Sequence, residues 1–182
     1  MTEQTLDIVY DIPAVSDEIR PHTLVVLVDN EFGVLARVVS LFSGRGYNIE
    51  SLTVAEVEHE KKRSRITIVT SGTQHVIDQI RKLLDKMVPV HWVVDMTVEL
   101  PHVERELALV KVVCDKAQYP ELSNITAGFG ARVVDETGNV YVFELTGEKQ
   151  MVDEFIERMQ PLGLTEVCRT GVAAISKGSD TL

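Results

Sequence analysis

The sequence predicts an α+β protein in which one six-element unit, β-α-β-β-α-β, occurs twice in tandem. Three observations lead there. Apolar residues recur with helical spacing in four short segments, and strand-like runs lie between them. The order of elements in the first half returns, more faintly, in the second. A chain of 182 residues, 45% apolar and 25% charged, has an ordinary globular composition and room for two small cores.

Each element follows from its own pattern. "HTLVVLVDN" (His22 to Asn30) is a continuous apolar run of the kind a strand covered on both faces carries. A helix follows, with Val34, Leu35, Val38, Leu41 and Phe42 on one face, stopped by Gly44 and Gly46. "YNIESLTVAEVE" and "SRITIVTS" read as two strands around a charged turn. The second helix places Val76, Ile77, Ile80, Leu83, Leu84 and Met87 inward, with Thr73 as its N-cap. "VHWVVDMTV", alternating through Trp92, Val94 and Met96, closes the unit. After Pro101 the order repeats. "ELALVKVVC" is a strand, and "YPELSNITAGF" is a short helix that tolerates Pro120 in its first turn. "ARVVDETGNVYVFEL" is a hairpin, "EKQMVDEFIERM" a helix, and "LTEVCRTGVAAIS" the last strand. The expected organisation is an acidic arm over 1–21, a first domain over 22–98, a linker over 99–103, a second domain over 104–177 and a tail over 178–182.

Two such units imply two ferredoxin-like domains, each an antiparallel sheet with both helices on one face. The other face of each sheet is then bare. A unit of roughly 75 residues is near the lower limit for a self-sufficient core, so the bare face or a sheet edge is expected to seek a neighbour, which predicts oligomerisation.

Charge and composition exclude several classes. A net charge of −10 and 5% aromatic residues argue against a nucleic-acid surface, which needs clustered Lys and Arg and stacking rings. The one dense basic stretch, Lys61 to Arg65, is expected to be a solvated turn between strands. Cys114 and Cys168 have no CxxC spacing and read as buried free thiols of a cytoplasmic protein. The five histidines show no metal-ligand spacing, so no metal site is expected. No apolar run is long enough for a bilayer span, and the N-terminus lacks the basic start and apolar core of a signal peptide. A membrane partner is not expected.

The stretch "NEFGVLARVVSLFSGRGYNIESL" (Asn30 to Leu52) is the candidate site. It is neither a dinucleotide fingerprint, since Gly44-Arg45-Gly46 ends a helix instead of opening one, nor a Walker loop, since GK[ST] is absent. No GxSxG turn appears, and neither cysteine opens a helix, so no catalytic residue is assigned. Binding remains. Gly33 opens a helix whose first N–H groups lack partners and whose dipole favours a carboxylate. Without a side chain at that position a ligand can approach the backbone. Asn30 reads as the N-cap of that helix, and its amide could also reach a ligand's ammonium and carboxylate. Asn48, at the start of the second strand, offers a further amide on an element that could face a partner chain.

These residues resemble a family. Asn30-Glu31-Phe32-Gly33-Val34-Leu35 is similar to the "D-x-P-G-x-L" turn of ACT domains, and Arg45 to Val54 to that family's second-strand signature. Together with "HVERELALVKV" (His102 to Val112) and "VCRTGVAAIS", the resemblance is closest to the small regulatory subunits of acetohydroxyacid synthase (acetolactate synthase), from Thr23 to Ser176. It implies a non-catalytic regulatory subunit. The subunit would activate a catalytic large subunit that holds thiamine diphosphate, Mg²⁺ and FAD, and would confer feedback inhibition by valine, sometimes also leucine or isoleucine. It implies an effector site with Asn30, Gly33, Val34 and Leu35 from one chain and Asn48 and Ile49 from the ACT domain of a second chain, hence a homodimer. Ala36 and Ala55 match positions associated with altered feedback. Asn30 stands where many ACT domains carry Asp, and Phe32 where many carry Pro, departures compatible with the small-subunit branch. The alternative is an ACT-domain sensor attached to a different enzyme.

Overall fold

The computed structural model describes residues 18–179. Most of the expected arm and the last residues of the expected tail lie outside the described residues. The first apolar run forms β1 (Arg20–Asp29), beginning ahead of the expected His22. Leu24 to Val28 are buried without interruption, so both faces of this strand are covered. Around it come α1 (Val34–Ser43), β2 (Ser51–Glu58), β3 (Arg63–Gly72), α2 (Gln74–Asp85) and β4 (Val90–Asp95). The sheet is antiparallel in the order β2-β3-β1-β4, with β2 and β4 at its edges. Leu24, Val26 and Val28 of β1 and Ile66 and Ile68 of β3 meet Val34, Val38 and Phe42 of α1 and Ile77, Ile80 and Leu84 of α2. Thr73 caps α2 as expected, its hydroxyl accepting from the Val76 N–H at 3.4 Å.

The strand expected to run through Met96 ends at Asp95, where a one-turn helix, α3 (Met96–Glu99), begins. Asp95 caps it by accepting the Thr97 N–H at 3.0 Å. Its other oxygen accepts from His22 Nδ1 at 2.8 Å, and both side chains are fully buried. This pair satisfies two polar groups that would otherwise be costly beneath the helix layer.

The second half contains β5 (His102–Val113), α4 (Tyr119–Phe129), β6 (Arg132–Thr137), β7 (Val140–Gly147), α5 (Lys149–Met159), β8 (Leu164–Arg169) and β9 (Ala173–Ser176). β5 starts inside the stretch expected to be linker. The order β6-β7-β5-β8 is the first sheet's order again. Both halves therefore have the ferredoxin-like arrangement expected, helices packed on one face. Ala108, Val110 and Val112 of β5 pack with Phe143 and Leu145 against Leu122, Val152, Phe155 and Met159.

Three expectations are corrected by the last stretch of chain. It is two strands, because Gly171 adopts φ +81 and breaks the run. β9 turns aside to pair with the start of β5, from His102 to Arg105. In doing so it lays Val172 and Ala174 on Val25, Val69 and Met96, with Trp92, Val94 and Leu100 alongside. The first sheet's second face, expected to be bare, is thus covered in part by the chain itself. Cys168, expected to be buried, is exposed: it lies on edge strand β8 opposite Leu109, on the face away from the helices. Cys114 is buried, and burial together with the neighbouring Asp115 pushes its thiol pKa up. The basic stretch divides. Lys61 and Lys62 are exposed in the turn, where Lys61 pairs with Glu58 at 2.9 Å. Arg63 to Arg65 belong to β3, and Arg65 Nη2 donates to the Ala174 carbonyl at 2.8 Å.

Candidate functional site

The turn between β1 and α1 is held from both sides. The Asp29 N–H donates to the Pro89 carbonyl at 2.8 Å and the Asn30 N–H to the Lys62 carbonyl at 2.7 Å. These bonds anchor it to the α2–β4 connection and to the β2–β3 hairpin. Gly33 occupies the N-cap position of α1 with φ +78, and no side chain caps the helix. A Cβ added there would meet nothing within 4 Å, so the approach to its backbone is open. The first intrahelical bond runs from the Arg37 N–H to the Gly33 carbonyl at 3.0 Å, and the Val34 N–H turns back to Glu31 at 3.3 Å. The N–H groups of Leu35 and Ala36 precede that first bond and have no intrahelical acceptor. An open helix N-terminus on a left-handed glycine suits a carboxylate.

The N-cap expected at Asn30 is a correction. Asn30 lies outside the helix, its N–H is committed to Lys62, and its exposed side chain is free to face a ligand instead. Glu31 is engaged by Arg37 and does not cap the helix either. Val34 is 7% exposed and belongs to the core, so it offers the site only its backbone. Leu35 is 38% exposed and Phe32 fully exposed, which makes these two the apolar surface beside Gly33. Phe32 was legible in the sequence only as a departure from a family pattern. Its exposure depends on the turn.

Asn48 and Ile49 lie elsewhere. Asn48 is exposed in the irregular connection after α1, ahead of β2 and not at its start. The Asn48 carbonyl accepts from the Thr70 hydroxyl at 2.6 Å, and the Glu50 N–H donates to the Val69 carbonyl at 2.8 Å. Ile49 packs against the first core, so its side chain too turns inward. Ser51 pairs with Val69, which pairs with Thr23 near the start of β1, whereas Gly33 follows the end of β1. From Thr23 to Asp29 a strand climbs roughly 20 Å at its usual rise per residue. One chain therefore does not bring Gly33 and Asn48 together; they sit at opposite ends of one sheet. Ala36 is exposed on α1, and Ala55 is exposed on edge strand β2, opposite Arg65.

Comparison with known proteins gives this geometry a setting. A family model described as an AHAS small subunit-like ACT domain matches residues 24–91, and one described as the small subunit of acetolactate synthase matches 105–178. The acetolactate synthase small subunit of Aquifex aeolicus is 42% identical over 161 residues, 88% of this chain and 83% of that one. The chain belongs to the acetolactate synthase small-subunit family. A probable small subunit from Archaeoglobus fulgidus is 41% identical over 158 residues, covering 87% of this chain and 98% of its own. The crystal structure of the Thermotoga maritima acetolactate synthase small subunit superposes with a TM-score of 0.79 at 33% identity, over 88% of this chain and 99% of that one. Asn30, Gly33, Val34, Leu35, Ala36, Asn48, Ile49 and Ala55 all fall within the stretch matched to the small-subunit ACT model. The second match spans nearly all of β5 and runs past β9, so the strand that crosses back to the first sheet is part of the small-subunit pattern. Among the described residues no helix is long and apolar enough to cross a membrane, and no group of three or more His, Cys, Asp or Glu is placed to hold a metal ion.

Proposed function

We propose that this chain is a cytoplasmic regulatory subunit of acetolactate synthase. It activates a catalytic large subunit and inhibits it when valine, or leucine or isoleucine, is bound. The observation that carries the reading is the open N-terminus of α1 at Gly33 in a chain of this family. It offers backbone donors to a carboxylate, with the Asn30 amide nearby and Leu35 beside it for a small apolar side chain. The ammonium acceptor comes from Asn48 of a second copy, because within one chain Asn48 lies at the wrong end of the sheet, and Ile49, packed into that copy's core, holds the segment in place. Edge strand β2, with Val54 and Val57 exposed, provides the means. Antiparallel pairing of two copies of β2 about a two-fold axis sets the Asn48 end of each alongside the Gly33 end of the other. Ala36 and Ala55, on α1 and β2, modulate the response from beside this interface. Thiamine diphosphate, Mg²⁺ and FAD belong to the large subunit, where the 2-oxoacid condensation takes place.

Co-purification with a candidate large subunit, followed by activity measured with and without valine, tests the reading. The chain alone should not turn over pyruvate, the complex should be more active than the large subunit alone, and valine should lower that activity. No heat and no thermal shift with any branched-chain amino acid would contradict it. Gly33→Asp places a carboxylate where the ligand's should bind. Losing charge-assisted hydrogen bonds weakens valine by about 10- to 100-fold. Asp tolerates left-handed backbone, so the variant loses only about 1–2 kcal/mol of stability and folds. Unchanged valine inhibition in this variant would remove Gly33 from the site.

A further inference from the structure

The segment from Asn48 to Ser51 is held by both domains. From the first domain, the Thr70 hydroxyl takes the Asn48 carbonyl and the Val69 carbonyl takes the Glu50 N–H. From the second, the Val172 N–H donates to Ser51 Oγ at 2.9 Å, and Lys149 reaches the Glu50 carboxylate at 3.4 Å. Two residues further along β2, the Thr53 hydroxyl donates to the Thr170 carbonyl at 3.3 Å. The loop that makes these contacts is in turn fastened to β5: the Thr170 N–H donates to the Leu107 carbonyl at 3.0 Å, and the Leu107 N–H donates to Thr170 Oγ1 at 3.1 Å. Gly171 lies at the closest approach, where a Cβ would come within 2.6 Å of Ser51 Oγ and 3.0 Å of Thr53 Oγ1. Its φ of +81 independently favours glycine.

We propose that the loop Thr170–Val172 couples the Asn48 end of the first domain to the second domain, with Ser51 and Gly171 as its positioning residues. The inference rests on the effector role of Asn48. An effector can shift an equilibrium only through contacts that differ between two arrangements. A ligand that draws Asn48 toward a second copy also draws Ser51, and Ser51 is bonded to the residue that leads into β9. β9 pairs with the start of β5 and lies on the first sheet, so a displacement of Ser51 is passed to the junction of the domains and not lost in solvent. The Gly33 half of the site has no such link to the second domain among the described residues, which assigns capture to Gly33 and transmission to Asn48 and its neighbours.

The test separates binding from response. Ser51→Ala removes the hydroxyl that the Val172 N–H uses and adds no volume. Calorimetric valine affinity of the variant should stay within about 3-fold of wild type, while the valine concentration that half-inhibits the complex with the large subunit rises at least about 5-fold, the lower end of typical allosteric coupling. Valine should slow hydrogen exchange at Val172 and in β9 of the wild-type chain and leave those amides unchanged in Ser51→Ala. Gly171→Ala should uncouple likewise, with added loss of stability; should it fail to fold, Ser51→Ala carries the test. Inhibition of the Ser51→Ala complex at the wild-type valine concentration, with β9 still responding, overturns the coupling while leaving the effector site intact. A wild-type complex indifferent to every branched-chain amino acid overturns the effector reading, and the coupling with it.

Discussion

The two sheets share a strand order but not a fate for their second face. In the first, central strand β1 reads "HTLVVLVD" and is buried residue after residue. In the second, β5 reads "ELALVKVV" and alternates: Glu106, Ala108, Val110 and Val112 are buried, while Leu109 and Val113 are exposed. Helices cover one face of each. The difference lies in β9, which crosses from the second domain to lie on the first sheet. Layer counting gave both sheets a bare face, yet the composition of β1 already denied this for the first. A strand apolar in every position is evidence of a covering layer, even before that layer is located.

The largest effect that would break the comparison comes from a charge on each second face. Val25→Asp sets an unpaired carboxylate beneath β9, and should destabilise the chain by about 3–5 kcal/mol. Leu109→Asp occupies the matching position of β5, opposite Glu144 and Cys168, and should cost about 1 kcal/mol or less. Urea denaturation of both variants checks this, and equal losses would mean that the two faces are covered alike. A smaller effect sharpens the contrast at the cysteines. Cys168 on the open face should be alkylated by iodoacetamide at least about tenfold faster than buried Cys114, whose thiol is also pushed away from the thiolate. Peptide mapping over a time course reads both rates in one sample.

Much of this fold was legible because its signals are local. The helical spacing of Val34, Val38 and Phe42, the Thr73 cap and the "ETGN" hairpin depend on neighbours in sequence. What failed to show depends on distant partners. α3 is one turn held by Asp95, too short for any period to reveal. The break at Gly171 was visible as a glycine within a strand pattern, a known sign of close backbone approach. Its reason, Ser51 and Thr53 pressed against it, lies 120 and 118 residues away (171 − 51 and 171 − 53). At the candidate site, the choice of Gly33 needed only the turn's own chemistry. The N-cap expected at Asn30 failed because the cap position falls three residues later, on left-handed Gly33, which puts the Asn30 side chain outside the helix. Val34 and Ile49, which the family resemblance places in the effector site, both turn their side chains into the core, and no local pattern separates an apolar side chain facing a ligand from one facing a helix.

The two ends of the first sheet make the central claim testable, because an effector site shared between copies requires Gly33 of one chain and Asn48 of another. Gly33→Asp and Asn48→Ala homodimers should each bind valine poorly. Unfolded together and refolded as a mixture, they form heterodimers in which one site carries both substitutions and the other carries neither. Calorimetry of the purified heterodimer should recover valine binding near wild-type affinity at one site per dimer. A heterodimer as impaired as either parent would contradict a site built from two chains.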